Sequence, residues 1–147
     1  MPHNIFEAEK LSIIELKFIK DQIEAPEEVS IEKVDGYRLE NSLQLAFNLD
    51  EKLSKVDFKV EITTDSKCLN SEEAKGNFHI VLIYKIENIA ELTKLNESNI
   101  VEVHPYLSNA LSSITYSTSR GLLYNRMQGT VLQKFILPVI DPIKLLG

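Results

Sequence analysis

Between Pro105 and Ser119 the chain carries no acid and no base, and that stretch constrains the fold more than any other. Leu107, Leu111, Ile114, Thr118 and Leu122 recur at steps of three or four, which predicts one long helix with a single apolar stripe. The other face carries Ser108, Ser112, Ser113, Thr115, Tyr116 and Ser119. A helix that only roofed a sheet would turn Lys and Glu to water on that side. Small hydroxyl side chains suit close packing against a second surface instead. A chain of 147 residues has one sheet to offer, so the expectation is an oligomer with Ser108, Ser112, Thr115, Tyr116 and Ser119 in its interface.

The ends of this helix are marked by punctuating residues. Pro105 fits a first turn, where its missing N–H costs nothing, so the helix begins at Asn99 or at His104. Gly121 either interrupts it or lets another backbone come close. Gly129 is the better stop, with Arg126 in the last turn at the negative end of the dipole. Beyond it, Pro138 and Pro142 bias Leu137 and Asp141 towards extended geometry. A hydrophobic, extended segment therefore crosses the molecule, and Pro142 opens a short terminal turn over residues 142–146.

The first half of the chain reads as β. Residues 1–10 are expected to be a flexible lead-in. Ile14, Leu16 and Phe18 then alternate with Glu15 and Lys17, and the phase flips after Ile19 to Ile23, which predicts a bulge or the strand's end. Residues 24–41 carry a Pro, an Asp-Gly pair and many acids, and read as a long connection and a candidate binding loop. Leu43, Leu45, Phe47 and Leu49 alternate with polar or small residues. After a polar turn, Val56, Phe58, Val60 and Ile62 do the same, giving an antiparallel hairpin with one dry face. Phe78, Ile80, Leu82 and Tyr84 form a fourth strand, apolar on both faces at its centre and so either central or covered by a partner. Residues 87–103 read as a polar crossing with a helical turn over residues 89–95. The expected class is α+β: one domain over residues 1–147, a four-stranded antiparallel sheet with one long helix packed on one face.

Little in the chain points to chemistry. The net charge is −6 and no basic cluster is present, which argues against nucleic acid and anionic membrane surfaces. No apolar run is long enough to span a bilayer, and the start lacks the pattern of a signal peptide. The single Cys68 cannot form an internal disulfide, and a cytoplasmic location is expected. His3, His79 and His104 have no metal-ligand spacing, so neither metal nor cofactor is expected. Ser119-Arg120-Gly121 is too short to read as a phosphate loop, and nothing marks Ser119 as a nucleophile. The acids Asp21, Glu24, Glu27 and Glu28 suit either a docking patch or a solvated connection. The residues argue for a binding protein rather than an enzyme.

Two stretches carry a family likeness. Lys20-Asp21-Gln22-Ile23-Glu24-Ala25-Pro26 resembles the first strand and its exit in the SecB family of protein-export chaperones. Pro105-Tyr106, a Ser/Ile-rich helix, Ser119-Arg120-Gly121 and Leu137-Pro138-Val139-Ile140-Asp141-Pro142 are similar to that family's Pro-Tyr helix, Ser-Arg-Gly and closing Pro-Val-Asn element. The order of elements matches over nearly the whole chain, and the motifs cover about a third of it. After Pro142 the sequence has room for a turn where the family has a terminal helix, which makes this a divergent SecB-like protein.

The resemblance implies a homotetramer, a dimer of dimers with the long helices sandwiched between paired sheets. It implies an ATP-independent holdase for unfolded polypeptide clients and preproteins, acting in export. Carried over by position, Val34, Tyr37 and Leu39 from the connection, with Leu45 and Phe47, would line the client groove. Asp21 and Glu24 would dock the export motor ATPase. Two alternatives stand beside it: a chaperone dedicated to one partner such as an antitoxin, and a non-catalytic structural or ligand-binding domain.

Overall fold

Strict alternation of apolar and polar side chains makes the sheet, and its two central strands show it best. The computed structural model describes residues 6–67 and 72–147. Strands β1 (Leu11–Glu24), β2 (Val34–Asn48), β3 (Leu53–Ser66) and β4 (Lys75–Ile86) form one antiparallel sheet in the order β1-β4-β3-β2. Val56, Phe58, Val60 and Ile62 of β3 and Phe78, Ile80, Leu82 and Tyr84 of β4 are all buried on one face. The opposite face carries Lys55, Asp57, Lys59 and Glu61, with Val81 sealed at its centre because β4 is an inner strand.

Helix α1 (Ile89–Leu92) and a small hairpin of β5 (Thr93–Leu95) and β6 (Val101–Val103) lead into α2 (Pro105–Met127). His104 caps α2, its ring Nδ1 accepting from the Tyr106 N–H at 3.1 Å, and Pro105 fills the first turn. Gly129, at φ +82°, takes the chain out of the helix. Residues 135–141 are irregular and lie over the same face of the sheet, and a 3-10 turn at Pro142–Leu145 follows.

The structure amends several expectations. The sheet-facing stripe of α2 runs Leu107, Leu111, Thr115, Ser119, Leu123, Met127, a strict step of four, with Ser112 and Tyr116 beside it. Ile114, Thr118 and Leu122 are only half-buried. Ser112, Thr115, Tyr116 and Ser119 therefore lie inside this chain's own core and are not a surface for a second copy; Ser108 is half-buried. The reason is the bulk of the sheet. The Tyr84 and Phe58 side chains rise from it, and only small or hydrogen-bonding helix residues fit above them. The Tyr84 hydroxyl lies 2.7 Å from Thr115 Oγ1, and the Phe58 and Tyr116 rings meet edge to face at 5.5 Å.

Strand β2 starts at Val34, so Tyr37 and Leu39 belong to a strand and the connection shrinks to residues 25–33. The hairpin of β5 and β6 replaces part of the expected polar crossing. Strand β1 shifts register between Ile13 and Glu15 and again between Phe18 and Lys20. The second shift is the expected bulge, while the first puts Ile13 rather than Ile14 on the helix side. Residues 1–5, His3 among them, and Cys68 lie outside the described residues. Residues 6–10 are held rather than loose: Phe6 packs on the core, Ala8–Lys10 is a 3-10 turn, and the Lys10 carbonyl accepts from the Glu87 N–H.

Candidate polypeptide-binding groove

Strand β2 is an edge of the sheet, and its helix-side face is an almost unbroken apolar line. Val34, Tyr37, Leu39, Leu45 and Phe47 are all half-buried on it, and Leu43 is fully buried at the middle. At about 3.3 Å per residue, the five predicted groove residues are spread over roughly 40 Å of strand rather than gathered in one pocket. Asn41 is the polar break in the line, and its Nδ2 is buried with no hydrogen-bond partner among the described residues.

The C-terminal segment divides this line in two. On one side the Phe135 ring meets Tyr37 edge to face at 5.4 Å, and burial raises the Tyr37 hydroxyl pKa above its ordinary value. In the middle, Leu146 pairs with Leu43 as a parallel bridge, and the Gly147 N–H donates to the Leu43 carbonyl at 3.3 Å. On the other side, Leu45, Phe47, Ile100, Val101, Val103 and Leu146 line an open cleft of about 540 Å³. A second, wider cleft of about 700 Å³ opens where the connection, with Ile23, Pro26 and Ile31, faces Gly129 and Val131 past the end of α2. In the segment after α2, Val139 stands 89% exposed, with Ile136 and Ile140 also at the surface. The Tyr116 hydroxyl donates to the Pro138 carbonyl at 2.6 Å and pins this loop on α2.

The two acids at the end of β1 part company. Asp21 is ion-paired with Arg126 near the C-terminal end of α2, Nε to Oδ1 at 2.8 Å, whereas Glu24 is exposed. The chemistry available along β2 is apolar contact with main-chain hydrogen bonding. Among the described residues no group of three or more His, Cys, Asp or Glu could hold a metal ion. No described helix is long and apolar enough to cross a membrane.

Sequence reasoning found the apolar residues of β2 but missed what covers them. Val101 and Val103 carried a readable signal, an alternating Val-Glu-Val after an Asn-rich turn. The pairing of Leu146 with Leu43 had none, because two residues of strand leave no period to read.

No family model matches the chain, and no curated protein does. Among solved structures, it is similar to the Mycobacterium tuberculosis Rv1957 SecB-like chaperone, solved in complex with a ChAD peptide from the Rv1956 HigA1 antitoxin. The two superpose with a TM-score of 0.64 at 12% identity, over 90% of this chain and 92% of that one. This chain has the SecB-like fold. A protein of unknown function from Streptococcus agalactiae aligns over 88% of the chain at 10% identity with a TM-score of 0.37. Strand β2, the hairpin of β5 and β6 and residues 146–147 wall the smaller cleft, whereas the end of β1, the connection and the residues just past α2 wall the wider one. Past α2, a 3-10 turn brings the chain back onto β2.

Proposed function

We propose that this protein is a polypeptide-binding chaperone, a holdase that shields extended apolar segments of its clients without nucleotide. The observation that carries this reading is the apolar line along an edge strand in a SecB-like fold, only partly covered by the segment after α2. Apolar area removed from water stabilises such a complex by about 25 cal/mol per Å², so a client needs no specific chemistry to be held. The groove residues are Tyr37, Leu39, Leu45 and Phe47, with Val34 at the far end of the line. The surface charge of −6 favours basic clients by steering.

A narrower reading, a chaperone dedicated to one partner, draws on two observations. The Rv1957 chaperone is bound to an antitoxin peptide. Here Asp21 is held by Arg126, so a motor ATPase docking on Asp21 and Glu24 would have to break an ion pair first. We favour the dedicated chaperone over service in export on this ground.

Assembly of copies into a homotetramer is part of the proposal. Strand β1 is the other edge of the sheet, and Ile13, Ile14, Leu16 and Ile19 are exposed along it. The outward face of α2 carries Tyr106, Asn109, Ser117, Gly121 and Tyr124, free of acids throughout.

The deciding experiment is light scattering of the purified protein with and without a reduced, unfolded test polypeptide, followed by an aggregation-suppression assay. Capture of the unfolded chain, weakened several-fold by Phe47→Asp or Leu45→Asp, is expected of a general holdase. Indifference to every generic unfolded chain, with tight binding of one natural partner, would select the dedicated chaperone. A protein that binds neither and exposes no dye-binding apolar surface would be a structural domain, and the proposal would fail.

A further inference from the structure

An edge strand presents unpaired N–H and C=O groups, and the ladder with β3 sets which ones. The Leu43 carbonyl points off the sheet, since it accepts from Gly147 rather than from β3. Antiparallel pairing alternates with period two, so Leu39, Asn41, Leu45 and Phe47 also turn their main-chain groups off the edge. The Ser54 hydroxyl, donating to the Ala46 carbonyl at 3.0 Å, confirms that the intervening residues point into the sheet. The residues whose backbone is free are thus the ones whose side chains make the apolar line. One strand laid on this edge would meet both.

The chain already lays such a strand there. Leu146 sits opposite Leu43 in parallel register with its side chain against the core. It is lightly held. Pro142, Ile143, Leu145 and Leu146 are only half-buried, and in the irregular residues before them Ile136, Val139 and Ile140 are exposed. A strand running on from Leu146 in the same register would next pass Leu45 and then Phe47, with the 540 Å³ cleft beside them.

We infer that a client joins this molecule as an extra strand parallel to β2, taking the place of residues 146 and 147, so that the C-terminal segment is a displaceable stand-in for the client. The inference rests on the chaperone reading above and deepens it. The partner it defines is an extended segment with branched apolar residues at alternate positions and unblocked main-chain N–H groups. Main-chain hydrogen bonds supply sequence-tolerant affinity, and alternate side chains fill the line. Basic residues in the intervening positions suit the acidic surface.

The test uses the full chain and a fluorescein-labelled extended peptide in which leucine alternates with lysine and threonine. Leu146→Asp, and a chain ending at Asp141, should each bind the peptide more tightly than the native chain. The gain is about tenfold if the segment leaves the edge open about a tenth of the time. Leu146→Ala, a milder change, should shift affinity the same way and guards against a variant that fails to fold. Hydrogen exchange of the Leu39, Asn41, Leu45 and Phe47 amides should slow on binding. A nitroxide at the peptide's N-terminus should broaden Leu39 more than Phe47, and an N-methylated peptide should not compete. Equal affinity for all variants, competition by the N-methylated peptide, or the reverse broadening pattern would each overturn the inference while leaving the chaperone reading intact. Failure of native chain and variants alike to hold the peptide or an unfolded protein would overturn both.

Discussion

Tyr84 shows how one side chain sets the character of the helix above it. Its ring is fully buried and its hydroxyl meets Thr115 at 2.7 Å. Tyr84→Phe or Thr115→Val leaves a buried hydroxyl unpaired and should cost about 1–3 kcal/mol, while the double substitution should cost clearly less than the sum. Denaturant titration of the four proteins measures the coupling directly. Burial also pushes the Tyr84 pKa up to about 12, against 10 for the free side chain. The folded state keeps its proton where the unfolded state has lost it, so this stability is intact below pH 10 and is lost as pH rises towards 12. The loss attributable to Tyr84 approaches about 2–3 kcal/mol, and the Tyr84→Phe chain should lack that alkaline limb. Burial raises Tyr116 as well, and it adds in the same direction. Gly76 is the other telling position. A Cβ there would lie 2.6 Å from Leu132 Cδ1 and 2.8 Å from Phe78 Cε2, both in buried side chains. Gly76→Ala should therefore lower stability by about 1–3 kcal/mol through overpacking, visible as a lower denaturation midpoint.

At the scale of the element, α2 shows that the two faces of an acid-free helix can lack acids for different reasons. Its inner stripe of Leu107, Leu111, Thr115, Ser119, Leu123 and Met127 is small at the centre because two aromatic rings of the sheet stand below it. Its outer stripe is free of acids for a separate reason, which we assign to assembly. Gly121 distinguishes these. It lies on the outer stripe with nothing within 4 Å of an added Cβ. In the isolated chain Gly121→Ala should raise stability by about 0.5–1 kcal/mol through helix propensity alone. Gly121→Leu should keep the helix, read by circular dichroism, yet lower the mass seen by light scattering. An unchanged mass would remove the outer stripe from the interface.

For the whole molecule, the two edges of one sheet differ in what covers them. The β2 edge is partly closed by the chain's own terminus, and the β1 edge is open, with Ile14 56% and Ile19 55% exposed at its two register shifts. Open edges with exposed isoleucines invite pairing with another chain. We expect Ile14→Lys combined with Ile19→Lys to halve the mass of the assembly without changing the β content. A mass indifferent to these lysines would place the copies elsewhere. Client capture should survive in the smaller species, because the β2 edge lies on the other side of the sheet.

What the chain determined by itself was whatever repeats locally. The alternation of Val56 to Ile62 and of Phe78 to Tyr84 specified two strands and the face they bury, because the period of a strand is two residues and needs no partner to be read. Pro105 and Gly129 bounded α2 through their own backbone restrictions. The phase break after Ile19 was legible as a bulge or the strand's end, and the structure makes it a register shift between Phe18 and Lys20. Tertiary structure decided the rest. Which stripe of α2 faced inward depended on the size of Tyr84 and Phe58 beneath it, since Leu and Ser stripes of equal period are indistinguishable until something bulky lies opposite one of them. The residues of β2 were individually visible, but the groove they form was not. Its shape depends on residues far away in the chain, with Phe135 covering Tyr37, Leu146 pairing with Leu43, and the line left open beside Leu45 and Phe47.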